Sequence, residues 1–586
     1  MKKFPKMSRF IQQICLVTLV AFTGVLHAQD QSEGGGFDQT QIITGDRTLT
    51  VQKAYKISDL PGTIELKVPE DDFEYVLIPK RPVKPIELET IPPAKVKVRK
   101  PLDKLYHGFV KAGVGTFATP YLDAYYTSTR ERDLAYGARI QHFSANDGIN
   151  REVAFSGFSR NKAELWGKKI FKKQSVQLKA GFSRDVWHYY GFDPEFYDID
   201  IEKKDYRQRF NVADVQSTWR SYYRDSSRVN HITQFDFYAL GDRYESSELG
   251  FNLESNLESF RGNQYYSLET GLDFISYQAG ELEPFNFLQD TTGISKPGKT
   301  TNNAIFKAVP RILITHKGLR AMVGIGIYGR FQDQADFHAF PDAEVSYSLF
   351  NDIFIPYAGI TGKVQRNSYR KFSDVNPFIV SNFEMANSIE RYKFFAGIRG
   401  SVSDNLSFNA GIEYSKVDDR PLFVNDTVFS AENRFEIIYD EVKTFTIQGE
   451  LTYQVEDKWD ANLFARIYSY DVGNEKEAWH LPSFEVGLNA NYNLFDKFYL
   501  GAELAFIGNR YVKSLLPVEA VDAEPEGFSI VELDPYLDLS LNAEYRYTSR
   551  LSVFIEANNL TATKYDIYYR FPAQRVFILG GLKYAF

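Results

Sequence analysis

From Gly108 onward, apolar and polar residues alternate with a period of two in segment after segment. Phe445, Ile447, Gly449, Leu451 and Tyr453 interleave with Thr444, Thr446, Gln448, Glu450 and Thr452, and Phe484, Val486, Leu488, Ala490 and Tyr492 with Glu485, Gly487, Asn489 and Asn491. Leu537, Leu539, Leu541, Ala543, Tyr545 and Tyr547 interleave in the same way with Asp538, Ser540, Asn542, Glu544 and Arg546. Successive side chains of a strand point to opposite faces, so each segment predicts a strand with one apolar and one polar, partly charged face. A small soluble barrel packs its inward face with apolar side chains; a polar face that holds several charges predicts a wet lumen, with the apolar face turned to lipid.

Tight polar turns are predicted near Glu131-Arg132-Asp133, Lys172-Lys173, Asp225-Ser226-Ser227, Arg261-Gly262-Asn263, His316-Lys317-Gly318, Asn351-Asp352, Ser403-Asp404-Asn405, Glu456-Asp457-Lys458, Asp496-Lys497 and Thr548-Ser549-Arg550. Longer connections fall around 189–204, 280–303, 365–388, 417–439 and 510–533. Ten turns joining interior strands, plus a first and a last strand, predict an all-β transmembrane antiparallel barrel of about 22 strands over residues 106–586, with 18–22 as the range. Short turns on one side and long loops on the other predict a periplasmic and an extracellular end.

The N-terminal part reads differently. Lys2, Lys3, Lys6 and Arg9 precede a mostly apolar run from Ile14 to Val25 and a small-residue site at Leu26-His27-Ala28, so residues 1–28 are expected to be a secretory signal peptide. Cys15, the only cysteine, sits early in the apolar run, which predicts no lipid anchor and leaves residues 29–586 without disulfides, thiolate metal sites or cysteine nucleophiles. Residues 29–105 begin near Gly34-Gly35-Gly36 and carry Pro79, Pro82, Pro85, Pro92, Pro93 and Pro101 among Lys80, Arg81, Lys84, Lys95, Lys97, Arg99, Lys100 and Lys104. This composition predicts an extended periplasmic segment that reads first as a solvated tether, with a docking strand for a periplasmic or outer-membrane protein partner through residues 37–105, or a segment that enters the lumen, as the alternatives.

Composition narrows the classes. Aromatic residues make up 16% of the chain, 48 Phe and 38 Tyr among them, as interfacial girdles on many strands require. Without the four signal-peptide cations, 64 Lys+Arg face 76 Asp+Glu, an acidic balance that predicts no nucleic-acid partner. No segment after residue 28 has the ~20 consecutive apolar residues of a transmembrane helix. The eight His are scattered, with no metal-ligand spacing and no phosphate-cradling glycine motif, so no metal and no cofactor is expected.

The chain ends Val576-Phe577-Ile578-Leu579-Gly580-Gly581-Leu582-Lys583-Tyr584-Ala585-Phe586, with Ile578, Leu582, Tyr584 and Phe586 on one face. This is similar to the C-terminal strand of bacterial outer-membrane barrels, and the resemblance implies that these four residues form an assembly signal read by the outer-membrane assembly machinery. Together with Ala557-Asn558-Asn559-Leu560, Lys564-Tyr565 and Phe571-Pro572, the end resembles the closing hairpin of TonB-dependent receptors. That resemblance implies a barrel in the Gram-negative outer membrane, in contact with its lipid, with both termini in the periplasm and a role in transport. Residues 29–105 are too short and proline-rich for that family's plug domain, so a barrel without a standard plug is expected. The alternative is a barrel subunit of an outer-membrane assembly or secretion complex.

Three further constellations carry polar or aromatic side chains in patterns with known chemistry. His142-Phe143-Ser144, with Asn146 nearby, resembles the outer-membrane phospholipase A family; carried over, His142 would be the base and Ser144 the nucleophile. The preferred reading is interfacial polar residues ending a strand, and no enzyme is expected. Trp187-His188-Tyr189-Tyr190-Gly191-Phe192 reads as an aromatic girdle rather than a ligand-stacking run. Glu519, Asp522, Glu524 and Glu526 read as a solvated acidic loop rather than a cation site.

Overall fold

The computed structural model describes residues 105–586 except 147–148, 150–154, 192–205, 224–227, 262–263, 283–294, 333, 427–428 and 515–527. The signal-peptide and extension readings and the acidic residues from Glu519 to Glu526 therefore lie outside the described residues. Twenty-two antiparallel strands form one sheet. The first strand, Gly108–Gly115, pairs both with Thr119–Thr127 and with the last, Phe577–Ala585, so the sheet closes into a barrel. Strand breaks fall at eight of the ten predicted tight turns, and the other two, at 225–227 and 262–263, lie outside the described residues. At His316↔Leu319 the two-residue turn places Lys317 and Gly318 at φ 44 and 84, the handedness that matches the twist of the flanking strands.

The faces follow the alternation. Leu541, Phe445, Ile447, Leu451, Leu582 and Tyr584 are exposed on the outside, where an apolar belt belongs in lipid. Inward positions carry ion pairs: Lys307 meets Glu254 at 2.6 Å and Glu269 at 2.9 Å, and Arg311 meets Glu269 at 2.8 Å and Asp342 at 2.7 Å. Lys162 and Lys179 share Glu164, and Lys583 meets Glu544 at 3.0 Å. Charges paired this way at the wall of a wet lumen satisfy one another without full desolvation.

The closing seam uses glycine where two backbones approach. Gly113 pairs with Gly581, and a Cβ on Gly581 would lie 2.1 Å from the Ala112 carbonyl oxygen. The buried Phe554 ring covers the pair from the lumen. Phe586 completes the closure through its backbone: its carbonyl accepts from His107 N at 2.7 Å and its N–H donates to Gly108 O at 3.1 Å.

The long loops lie at the end opposite the tight turns. There the strands Leu406–Asn425 and Phe435–Val455, of 20 and 21 residues, run well past a belt of ~25 Å. The loop 366–387 between the strands Ile355–Gln365 and Ser388–Ser403 holds a short helix, Tyr369–Val375. Among the described residues no helix is long and apolar enough to cross a membrane.

Candidate functional site: the capped lumen

The loop 366–387 packs against inward-facing side chains and builds an apolar core at the loop end. Ser368 caps the helix by accepting from Lys371 N at 3.1 Å, and the helix stops at Val375, ahead of Asn376-Pro377, because the residue before proline disfavours the helical region. The chain then runs as Phe378-Ile379-Val380 beside Phe435: Phe435 N donates to Phe378 O at 3.0 Å and Val380 N to Phe435 O at 2.9 Å. Tyr369, Phe372, Phe378, Ile379 and Phe383 are all buried, in one cluster with Tyr189, Tyr190, Tyr277, Phe435 and Phe571. Phe378 and Phe571 stack with centroids 3.9 Å apart, joining this loop to the connection 559–576.

Polar contacts fix the loop in register with the wall. Glu248, fully buried on the inward face of the strand Ser247–Arg261, accepts from Tyr369 N at 2.6 Å, Arg370 N at 3.1 Å and Tyr238 OH at 2.7 Å. Its carboxylate binds the first N–H groups of the helix, which have no partner within it. Ser381 O accepts from Ser246 Oγ at 2.6 Å and Tyr277 OH at 2.5 Å, and Asn303 and Asn387 exchange amide hydrogen bonds at 2.7 and 2.8 Å. Asp242 accepts from Tyr369 OH at 2.7 Å and from Ser246 N at 2.8 Å; burial raises its pKa, and the hydrogen bonds from Ser381, Tyr369, Ser246 and Gln208 oppose that rise. A second loop, 473–483, places His480 between Phe435 and Tyr568. Phe423 O lies 3.0 Å from His480 Nδ1, and burial pushes the pKa of this imidazole down to about 3, so it sits neutral in the cap.

Beneath the cap and beside the seam, a cavity of about 250 Å³ is lined by Lys111, Tyr121, Asp538, Glu556, Asn558 and Tyr565. Lys111 and Glu556 are paired there at 2.6 Å, and Tyr565 OH donates to Asp538 at 2.6 Å.

The predicted positions fall into place unevenly. Ile578, Leu582, Tyr584 and Phe586 are exposed on the outer face, as their alternation requires. The aromatic run differs from a girdle: His188, Tyr189 and Tyr190 are buried in the cap, and Trp187 stacks on Phe158, while Phe192 lies outside the described residues. The physical reason is that this run begins where the wall ends, so its rings find the core made by the loops rather than the membrane interface. Asn146 makes a backbone bond to Phe117 O and takes no part in the His142–Ser144 pair. His142 instead reaches Asn161 on the next strand, a residue the sequence pattern did not single out. Glu248, Asp242 and the cap loop were also missed. The available signal was the presence of Tyr369, Phe372, Phe378, Ile379 and Phe383 in a connection that a solvated loop would have filled with polar residues.

No protein-family model and no curated protein sequence matches the chain. Solved structures do match. The FrpB iron transporter from Neisseria meningitidis (F3-3 variant) has TM-score 0.62 at 10% identity, over 83% of this chain and 82% of that one. The pyoverdine outer-membrane receptor FpvA from Pseudomonas aeruginosa PAO1, bound to pyoverdine, has TM-score 0.60 at 12% identity, over 83% and 80%. The ferric-catecholate import receptor Fiu from E. coli K12 has TM-score 0.57 at 11% identity, over 82% of each chain. These neighbours are transport receptors, and at such identities the likeness is one of fold: a closed barrel of 22 antiparallel strands with the architecture of outer-membrane transport receptors.

Proposed function

We propose that the chain is an outer-membrane barrel of the TonB-dependent-receptor type that acts in transport across that membrane, with its tight turns and both termini in the periplasm. The observation that carries the reading is the combination of a lipid-facing apolar belt with a charged lumen whose loop end carries a buried aromatic core built from the barrel's own loops. In this reading the chain has no standard plug, the cap replaces it at the extracellular mouth, and the lumen performs passage rather than chemistry. The lumen carboxylates already have partners in the wall: Glu450 with Asn462, Glu485 with Tyr468, Asp538 with Tyr565 and Glu544 with Lys583. In this reading the segment 37–105 serves a periplasmic partner.

Planar-bilayer recordings test this. Full-length protein is expected to conduct little, and deletion of 366–387 with a short linker to open large steady channels. Deletion of 37–100 is expected to leave conductance unchanged and to abolish co-purification of a periplasmic partner. Large conductance in the intact protein would sink the cap. Recovery of the intact protein only as part of a stable multi-protein complex, non-conducting even without 366–387, would favour the subunit reading.

Ile578, Leu582, Tyr584 and Phe586 form the assembly signal in this reading, reinforced by the main-chain bonds of Phe586 at the seam. Replacing Phe586 and Tyr584 by Ser is expected to reduce the heat-modifiable barrel recovered from outer membranes. Wild-type recovery would remove that role.

A further inference from the structure

The cavity beside the seam holds charges that do not cancel. Lys111 Nζ donates to Glu556 at 2.6 Å and stands 4.2 Å from the centre of the Phe554 ring, so this pair is neutral as a unit. Asp538 lies nearer the loops: Glu556 pairs across the sheet with Asn542, four residues further down the same strand, Tyr536–Arg546. Asp538 Oδ2 accepts from Tyr565 OH at 2.6 Å, but Oδ1 is buried with no hydrogen bond among the described residues, and Asp538 forms no ion pair among them. Arg510, on the neighbouring connection, spends its guanidinium on the carbonyls of Ile567 and Asp566. The cavity is therefore left with one negative charge and one buried acceptor that lacks a donor, and such an acceptor is costly.

The carboxylate is held in place. Tyr536 and Tyr565 stack with centroids 3.7 Å apart and an interplanar angle of 3°, which fixes the hydroxyl that Asp538 receives. Turning the carboxylate to seek another donor would break that bond. Rings line another side of the cavity: Phe143 meets Tyr121 and Phe577 edge to face, each at 6.1 Å. Aromatic faces attract a cation and pack against an apolar body. These features exclude three kinds of occupant. An anion would add to the uncancelled charge, and a neutral apolar molecule would leave Oδ1 without a donor. A divalent metal ion lacks its ligand set, since no three His, Cys, Asp or Glu converge among the described residues. The volume of about 250 Å³ falls below the ~300 to 1,000 Å³ of sites for drug-sized ligands, so the occupant is small.

We infer that this cavity binds a small primary or secondary ammonium ion with an apolar or aromatic body. An N–H of the ammonium group donates to Asp538 Oδ1 and its charge balances the carboxylate, while the body lies against Tyr121, Phe143 and Phe577. Tyr565 is a positioning residue that aims Oδ1 into the cavity. The inference concerns binding inside the folded barrel; it goes beyond the transport reading and does not rest on it.

The test is a calorimetric titration of purified full-length protein in detergent micelles with 2-phenylethylammonium chloride. Two compounds serve for comparison: 3-phenylpropionate reverses the charge, and 2-phenylethyltrimethylammonium keeps the charge but has no N–H. Saturable binding of the ammonium ion is expected with a Kd of about 1 mM or tighter. It should exceed the affinity of the quaternary ion by about 10-fold or more, because only the former satisfies Oδ1, and the carboxylate should not bind. Asp538→Asn is expected to weaken binding by about 10- to 100-fold, the range of a hydrogen bond to a charged group. Ala573→Leu fills part of the lining and leaves Asp538 unchanged, and should weaken binding by about 10-fold or more. Glu450→Gln, on a lumen carboxylate outside the cavity, should leave binding unchanged. Heat-modifiable migration identifies the variants that form the barrel; where one does not, the other variant and the two comparison compounds decide. Absence of saturable binding by the folded wild type, equal affinity for either comparison compound, or binding that a folded Asp538→Asn or Ala573→Leu barrel retains in full overturns the proposal.

Discussion

Along single strands of this barrel the inward face changes character from one end to the other. On the strand Arg207–Ser221 it reads Gln216 and Asp214 toward the tight turns, then Val212 and Phe210 toward the loops; on Gln264–Gln278 it reads Glu269 and Asp273, then Ile275 and Tyr277. The lower half is thus a charged wall whose side chains pair directly with one another, as in the Lys307, Glu269 and Arg311 network. The upper half is the floor of a buried core whose ceiling is made of loops. The wall folds by hydrogen-bonded strand pairing and lipid burial, whereas the cap folds by burial of aromatic rings from connections far apart in sequence.

If the two halves are separable, a change at their joint should loosen one and spare the other. Glu248→Ala removes the acceptor of three hydrogen bonds, and charged bonds of this kind contribute ~1.5 to 3 kcal/mol each without being additive, so the cap should lose about 3 to 5 kcal/mol. Amide exchange in 369–375 should accelerate by about two orders of magnitude or more, while exchange in strands near the tight turns stays unchanged. A uniform loss across the whole barrel would erase the distinction.

The wall itself is sharpened by a pair of substitutions on one strand. Leu541→Arg places a cation on the lipid face and should cost about 2 to 4 kcal/mol in unfolding from bilayers, whereas Ser540→Arg, on the lumen face, should cost about 0 to 1. Equal costs would mean that the two faces are not lipid and water.

The cap should also answer to pH where the wall does not. His480 has its folded pKa lowered from 6.5 to about 3, so between those values the opened loop binds a proton that the closed loop does not. Stability is therefore lost as pH falls, by roughly 1.4 kcal/mol per pH unit in that window, or about 2 kcal/mol by pH 5. Asp242, with a raised pKa, works in the opposite sense. Protease access to 473–483 should rise on acidification in the wild type and lose most of that dependence in His480→Phe; acid-insensitive access in the wild type would show that the ring is not buried neutral. The smallest effect is expected in the wall: Lys307→Met should change barrel stability by less than about 1 kcal/mol, because partly solvated pairs contribute little.

The sequence alone determined the wall, because strand periodicity and turn chemistry are local. A slip of one residue would move Phe445, Ile447 and Leu451 from lipid to water, so the alternation has one register that fits, and Lys317-Gly318 or Glu456-Asp457-Lys458 marks where it reverses. Repeating that pattern through ten turns fixes the strand number. Where distant residues meet is settled only in the folded barrel. Tyr189, Tyr369, Phe435 and Phe571 belong to four separate connections or strand ends, and their burial exists only once the barrel has brought those ends to one rim. Asn161 likewise stands nineteen residues beyond His142, and it is the cross-strand register His142↔Asn161 that sets an amide oxygen against the ring. Periodicity gives each side chain its face, but the neighbour it meets there is set by pairing and loop closure, which sum contributions from the whole chain.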